Sequence, residues 1–274
     1  MKVNPHIFQF WLSRVIGAIL FIIAGLGLQI TFPALNDMPI ALLVILSGML
    51  LLEYLRGGSY HTLGIPFDTT TFLDILYGII YGIVPIALFL LILGALSKID
   101  ISLGSFDSAG GIFSIVIVAS LEELMFRGVL FQACVDRFSF IPVAFVFSML
   151  FSLAHLANPS FDEVSMLNTF LAGLLFSYGW YHTRALWLPI ALHVSWNLSL
   201  YVTGLVLSGI EIHDSLFLVT ISEDVPIPWL NSTYGIEGTV YCTIILITMI
   251  YGISKVHVEP KRMARLFRMQ YNIQ

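Results

Sequence analysis

Charge is what this sequence has least of. Of 274 residues only 11% are Asp, Glu, Lys or Arg, made up of 12 basic and 17 acidic side chains. An average soluble domain carries roughly 25%. So few charges cannot coat a water-soluble globule, and 58% of the chain is apolar, with a mean hydropathy of +0.93. A soluble enzyme and a disordered chain are both excluded. The net charge of −5 leaves no basic stripe to neutralise phosphates, which excludes a nucleic-acid partner. Cysteine is equally scarce. Cys134 and Cys242 lie in apolar stretches with no CxxC spacing, so they read as small buried hydrophobes and not as a disulfide framework. There is no internal repeat and no low-complexity tract.

Long hydrophobic runs are what the sequence does have. A helix needs about 20 mostly apolar residues to cross about 30 Å of hydrocarbon. Eight runs qualify as candidates, at about 12–32, 38–55, 72–97, 111–135, 140–157, 165–182, 185–207 and 236–254. The first is too long for a signal-peptide core of roughly 7–15 residues, so it reads as a retained anchor. The runs are continuous and not alternating, which favours helices over a barrel. The expected fold is therefore all-α: a polytopic membrane bundle of about eight helices, forming one membrane domain over 1–274. The Gly78/Gly82 pair has the spacing of a close helix-packing seam.

Orientation follows from the basic residues in the loops. With eight spans both termini share one side. That side receives Lys2, Arg14, Arg56, Arg137, Arg184, Lys255, Lys261, Arg262, Arg265 and Arg268, the other side only Lys98, and Arg127 falls inside a span. The termini are thus expected in the cytoplasm. Residues 208–235, with Glu211, Asp214, Glu223 and Asp224 and no Lys or Arg, form an expected external loop over the bundle mouth. Residues 255–274 form a basic cytoplasmic tail, either lying on the anionic inner leaflet or solvated. Trp11, Trp180, Trp187 and Trp229 fit an interfacial belt, and Asp74 reads as interfacial. His6, His61, His182, His213 and His257 sit at span edges or in loops, where solvated roles are expected.

Against this background a few polar residues stand out. The fourth run contains Glu122, Glu123 and Arg127, the fifth His155, the seventh His193 and Asn197. Each charge at a helix centre costs about 2.5–3.5 kcal/mol even on the gentlest insertion scale. Glu123 and Arg127 are spaced i,i+4 and can pair on one face. Glu122 points about 100° away around the helix and has no local cation. His193 and Asn197 share a face, with Ser195 on another. Counting about 1.5 Å per residue from the cytoplasmic ends places Glu122, His155 and Asn197 at roughly 20, 22 and 18 Å, and Arg127 and His193 at roughly 12 Å. Three helices thus bring polar groups to matching levels.

The ordered set Glu122-Glu123-x-x-x-Arg127, Phe151-x-x-x-His155 and His193-x-x-x-Asn197 resembles the CAAX protease and bacteriocin-processing (CPBP, or ABI) family of intramembrane glutamic proteases. All three motifs are present without substitution, within a core of about 111–207. The resemblance implies an intramembrane endopeptidase that hydrolyses a peptide bond with a glutamate-activated water, with no metal and no other cofactor. It implies Glu122 as general base, His155 helping to hold the water, His193 and Asn197 facing the developing oxyanion, and Glu123 and Arg127 bracing the site. The implied partners are the lipid bilayer and a membrane-associated or prenylated substrate such as a CAAX-type C terminus. The residue chemistry is compatible: a carboxylate in a low-dielectric site beside a like charge is brought nearer the range of a general base.

Two other readings stay open on the residues alone. Glu122, Glu123, His155 and His193 offer enough N and O donors for a zinc-dependent membrane protease, although no HExxH spacing is present. A buried Glu/His set also suits a transporter-like protein, or a non-enzymatic scaffold or immunity protein.

Overall fold

The computed structural model describes residues 5–31, 40–55, 60–105, 109–226 and 228–255. Its helices are α1 (Pro5–Thr31), α2 (Ile40–Leu55), α3 (Tyr60–Leu63), α4 (Thr71–Ala95), α5 (Ala109–Arg127), α6 (Val129–Arg137), α7 (Phe140–Ala154), α8 (Glu163–Thr183), α9 (Trp187–Thr203) and α10 (Val240–Lys255). Local chemistry sets several of the ends. α8 opens on a capping box, in which Ser165 N donates to Asp162 Oδ1 at 2.8 Å and Asp162 N donates to Ser165 Oγ at 2.7 Å. α9 stops at Gly204, whose φ of +69° is the left-handed cap that glycine adopts without strain.

The fold is mostly helical, but it is not all-α. Strand β1 (Ile99–Leu103) pairs antiparallel with β2 (Phe217–Ile221), Ile99 opposite Ile221 and Leu103 opposite Phe217. Both strands are rich in β-branched and apolar residues. They are far apart in sequence, so neither shows a hairpin signal.

Two helices, α1 over Trp11–Leu28 and α4 over Thr71–Ala95, are long and apolar enough to cross a membrane by themselves. α2, α7 and α10 are apolar but shorter. The expected fourth span, 111–135, is two helices. Gly128 separates α5 from α6, and a Cβ there would come within 2.1 Å of Leu124 O. The fifth run also ends early: α7 stops at Ala154, and His155 is its C-terminal cap, not a mid-helix residue. The depths expected for Glu122 and His155 are revised accordingly. Glu122 lies in the last turns of α5, and His155 at the end of α7.

Packing is tightest between α4 and α9. At Gly78 a Cβ would meet Ala191 Cβ and Leu188 O at 2.7 Å, so the expected glycine seam is real. A second tie, a buried ion pair, joins α1 to α2: Arg14 Nη2 lies 3.0 Å from Glu53 Oε1, and Arg14 Nη1 reaches Asp136 of α6 at 3.1 Å. Large apolar side chains face outward instead, among them Ile30, Phe72 and Leu91, each at least 70% exposed. This reversal of the usual pattern suits a bundle surrounded by lipid.

Two aromatic-rich cores share the interior. One joins α4, α8, α9 and α10 around Phe89, Phe176 and Trp196. The other joins α1, α2, α6, α7 and α8 around Met49, Phe131 and Trp180. Trp180 is therefore no belt residue: it is 1% exposed and packs edge-on against Phe131 with ring centroids 5.2 Å apart. Asp74, in the first turn of α4, is buried against its neighbours. Lys2, Arg56, His257 and the tail from residue 256 lie outside the described residues, as do the side chains of His6 and His61.

The α4–α9 seam yields a direct test. In Gly82→Ala the added Cβ would fall 2.0 Å from Ser195 Oγ and 2.7 Å from Trp196 N. Overpacking of this kind costs about 1–3 kcal/mol. Thermal unfolding of detergent-solubilised protein should show a clear loss for Gly82→Ala. Gly94→Ala, whose nearest new neighbour is 3.8 Å away, should show none.

Candidate active site

The end of α5 and the middle of α9 meet where the two cores join. Glu123 and Arg127, four residues apart, are both fully buried. Arg127 Nη1 donates to Glu123 Oε1 at 3.1 Å, and its Nη2 donates to Gly173 O of α8 at 3.0 Å. Its guanidinium also lies over the rings of Phe151 and Phe176, 4.7 and 5.1 Å from their centroids. Planar delocalised charge suits this box of aromatic faces, carboxylate and carbonyl better than a lysine ammonium would.

The same Glu123 oxygen holds His193. His193 Nδ1 lies 3.0 Å from Glu123 Oε1, and the ring stacks on Phe176 at 4.8 Å with an interplanar angle of 20°. Acting as donor to the carboxylate, Nδ1–H fixes the ring's orientation and turns Nε2 the other way. Nε2 then faces Glu122, with Oε2 3.9 Å away. Glu122 Oε2 is buried and has no hydrogen-bond partner among the described residues. The result is a chain of alternating charge-bearing groups, Arg127–Glu123–His193–Glu122, with one undedicated carboxylate at its end.

A cavity of about 530 Å³, including its mouth, adjoins this chain. His193, Asn197 and His155 line it, from α9 and from the end of α7. Glu122 is not on its wall and stands next to it across His193. His155 Nδ1 is 2.8 Å from Phe151 O. With Nδ1–H donated there, its Nε2 is left as an acceptor. Ser195, as its place on the helix requires, turns away and donates to Gly78 O at 3.2 Å.

The cavity also has walls that reading the sequence did not single out. Asn168 of α8 is buried and donates to Glu237 O at 2.8 Å and Thr239 O at 2.9 Å. The Glu237 carboxylate accepts from Trp196 Nε1 at 3.1 Å and from Ser208 N and Oγ at 2.6 and 3.0 Å. Trp196 stands between His193 and Asn197 on α9, so Glu237 ties that helix to the segment after it. A carboxylate at the head of the last apolar run was the available signal. Its partners, scattered over three segments, were not. Beside this segment burial pushes the Tyr234 phenol up to about 12, so it stays protonated.

Among the described residues no group of three or more His, Cys, Asp or Glu is arranged to hold a metal ion. Residues 105–199 match the family model described as Type II CAAX prenyl endopeptidase Rce1-like. The matched stretch holds Glu122, Glu123, Arg127, His155, His193 and Asn197. Glu237 lies beyond it. No curated protein and no solved structure matches the chain.

Removing Arg127 should cost folded protein before it costs chemistry. Arg127→Ala strands the buried Glu123 carboxylate, and breaking a buried pair from one side typically costs about 3–5 kcal/mol. Arg127→Ala should lose most of its monodisperse fraction in detergent. A well-folded Arg127→Ala that merely turned over more slowly would contradict the bracing role.

Proposed function

We propose that this chain is a multi-pass membrane endopeptidase that crosses the bilayer eight times, with both termini in the cytoplasm, and hydrolyses a peptide bond with water activated by Glu122. The substrate class is a membrane-associated or lipidated peptide, of which a CAAX-type C terminus is one form. The observation that carries the reading is the placement of His193. Glu123 holds it through Nδ1, its Nε2 faces the unpartnered Glu122 oxygen, and its ring shares a cavity wall with His155 and Asn197. The Rce1-like match over 105–199 supports the same reading.

In this mechanism Glu122 takes a proton from a water as its oxygen attacks the scissile carbonyl carbon. The C=O electrons move onto oxygen, and the tetrahedral oxyanion accepts hydrogen bonds from the Asn197 amide and from Nε2–H of a His193 imidazolium that enters the cycle doubly protonated, keeps Nδ1–H on Glu123 and leaves the cycle unchanged. Collapse reforms the carbonyl, breaks the C–N bond, and Glu122 returns its proton to the leaving amine. His155 Nε2 receives a hydrogen bond from the attacking water. Glu123 and Arg127 touch no reacting atom; they keep the imidazole aimed. Every proton is accounted for by one carboxylate, so the cycle calls for no metal.

The test is turnover of a fluorogenic peptide panel, with and without a farnesylated cysteine, by the full chain in nanodiscs. Glu122→Gln should lose about 100- to 10,000-fold in rate, the usual weight of a general base, at unchanged thermal stability. Asn197→Ala should lose about 100- to 1,000-fold, as for an oxyanion donor. Strong chelator should leave the wild-type rate intact. Undiminished turnover by Glu122→Gln would sink the mechanism.

A further inference from the structure

The helix ends that frame the cavity gather at one end of the bundle. They are the C termini of α7 and α9 and the N termini of α8 and α10. Ser152 Oγ donates to Met166 O at 2.9 Å, Asn158 Nδ2 to Ser208 O at 3.1 Å, and Asn168 Nδ2 to Glu237 O at 2.8 Å. The two-stranded sheet belongs to this end too, because Ser222 N donates to Lys98 O at 2.9 Å just past α4. The described segments at this end, 96–105, 155–163, 204–226 and 228–239, contain Lys98 as their single Lys or Arg. The Lys98 ammonium bonds the exposed Asp224 carboxylate and holds it below its ordinary range.

The opposite end has the reverse character. There Gln132 Nε2 donates to Leu63 O at 2.9 Å, Trp187 Nε1 to Pro66 O at 2.7 Å, and Leu186 N to Gly64 O at 2.6 Å. Arg137, Arg184 and Lys255 lie at this end, and Lys261, Arg262, Arg265 and Arg268 follow Lys255 in sequence. A surplus of Lys and Arg close to the helix ends marks the cytoplasmic side.

The half-buried polar residues of the cavity wall, His155, Ser208 and Glu237, lie at the sheet end beside buried Asn168, Thr169 and Cys242, whereas Phe176, Leu192 and His193 at its inner part are buried. Between the inner part and the basic end lies a closed layer. Leu63, Phe131, Trp180 and Leu186 are each at most 1% exposed, and none of them lines the cavity.

We propose that the cavity opens at the end away from the basic loops, toward the extracytoplasmic face, and that its substrate is a peptide segment presented there and not a prenylated tail delivered from the cytoplasm. The inference rests on the eight-span peptidase reading and narrows its substrate class. A tail arriving from the cytoplasm would have to pass the Trp180 layer. A peptide arriving from the other face meets Glu237, Ser208 and His155 first, then the apolar wall of Phe176 and Leu192, then His193.

The test is chemical access in the full chain carrying Cys134→Ala and Cys242→Ala. Thr169→Cys places a thiol on the cavity wall, where the native hydroxyl donates to Ser165 O at 2.7 Å and also meets the Tyr234 phenol. His213→Cys reports the sheet end and Ser254→Cys the basic end. A trimethylammonium methanethiosulfonate is applied to right-side-out and to inverted vesicles; its fixed charge crosses hydrocarbon poorly. Thr169→Cys and His213→Cys should react at least about tenfold faster in right-side-out vesicles, and Ser254→Cys at least about tenfold faster in inverted ones. Modification of Thr169→Cys from the inner face, or from neither face while the two reporters react, overturns the proposal. So does a reversal of the reporters. Labelling needs no turnover, so repeating it with Glu122→Gln separates the two ideas. Outer labelling of a chain that never cleaves peptide counts against the peptidase reading alone, and inner labelling of an active chain counts against the access inference alone.

Discussion

One carboxylate oxygen organises the interior of this bundle. Glu123 Oε1 is approached by Arg127 Nη1 at 3.1 Å and by His193 Nδ1 at 3.0 Å, in a place where neither Glu123 nor Arg127 has exposed surface. A buried charge persists only where its partners arrive with good geometry, because each ion removed from water costs several kcal/mol before it is compensated. Glu123 has two such partners, and each belongs to a different neighbourhood. Arg127 extends the contact to α8 through Gly173 O and to three phenylalanine rings. His193 extends it to α9 and then to Glu122. The apolar helices supply the burial; this oxygen supplies the register between them.

The division of labour between the adjacent glutamates follows from that arrangement. Their side chains leave the helix about 100° apart, so one can be committed to structure while its neighbour stays undedicated. Glu123 is fully buried and doubly held. Glu122 keeps a quarter of its side chain exposed and an oxygen without a protein partner. Two identical residues side by side thus have different chemistry because only one of them faces the arginine.

The polar set was legible in the sequence because charges in apolar runs are expensive and so few are present. The i,i+4 spacings of Glu123 with Arg127 and of His193 with Asn197 place each pair on one helical face, and the glycine spacing on α4 indicated the seam with α9. Boundaries were less legible. Apolar residues flank Arg127 and Gly128 on both sides, and Arg127 reads there as the i,i+4 partner of Glu123, so the break at Gly128 does not show as a change in hydropathy. The β1–β2 pair was invisible because its strands lie far apart in the chain. Trp180, close to a run's end, resembled an interfacial anchor, yet Phe131 of another helix covers it. Glu237 and Asn168 carried polar signals of their own, but their significance depends on Trp196, Ser208 and Thr239, which only the folded chain brings to them.

The glycine seam has a mechanical consequence. With Gly78 and Gly82 pressed against the backbone of α9 and Ser195 bonded to Gly78 O, the helix bearing His193 and Asn197 is keyed to α4 like a rail in a slot, unable to roll without driving main chain into main chain. Any widening of the cavity must come from the opposite flank, where Glu237 and Ser208 are joined by side-chain hydrogen bonds that are free to exchange. The fold therefore has a stiff side that keeps its aim and a yielding side that can make room.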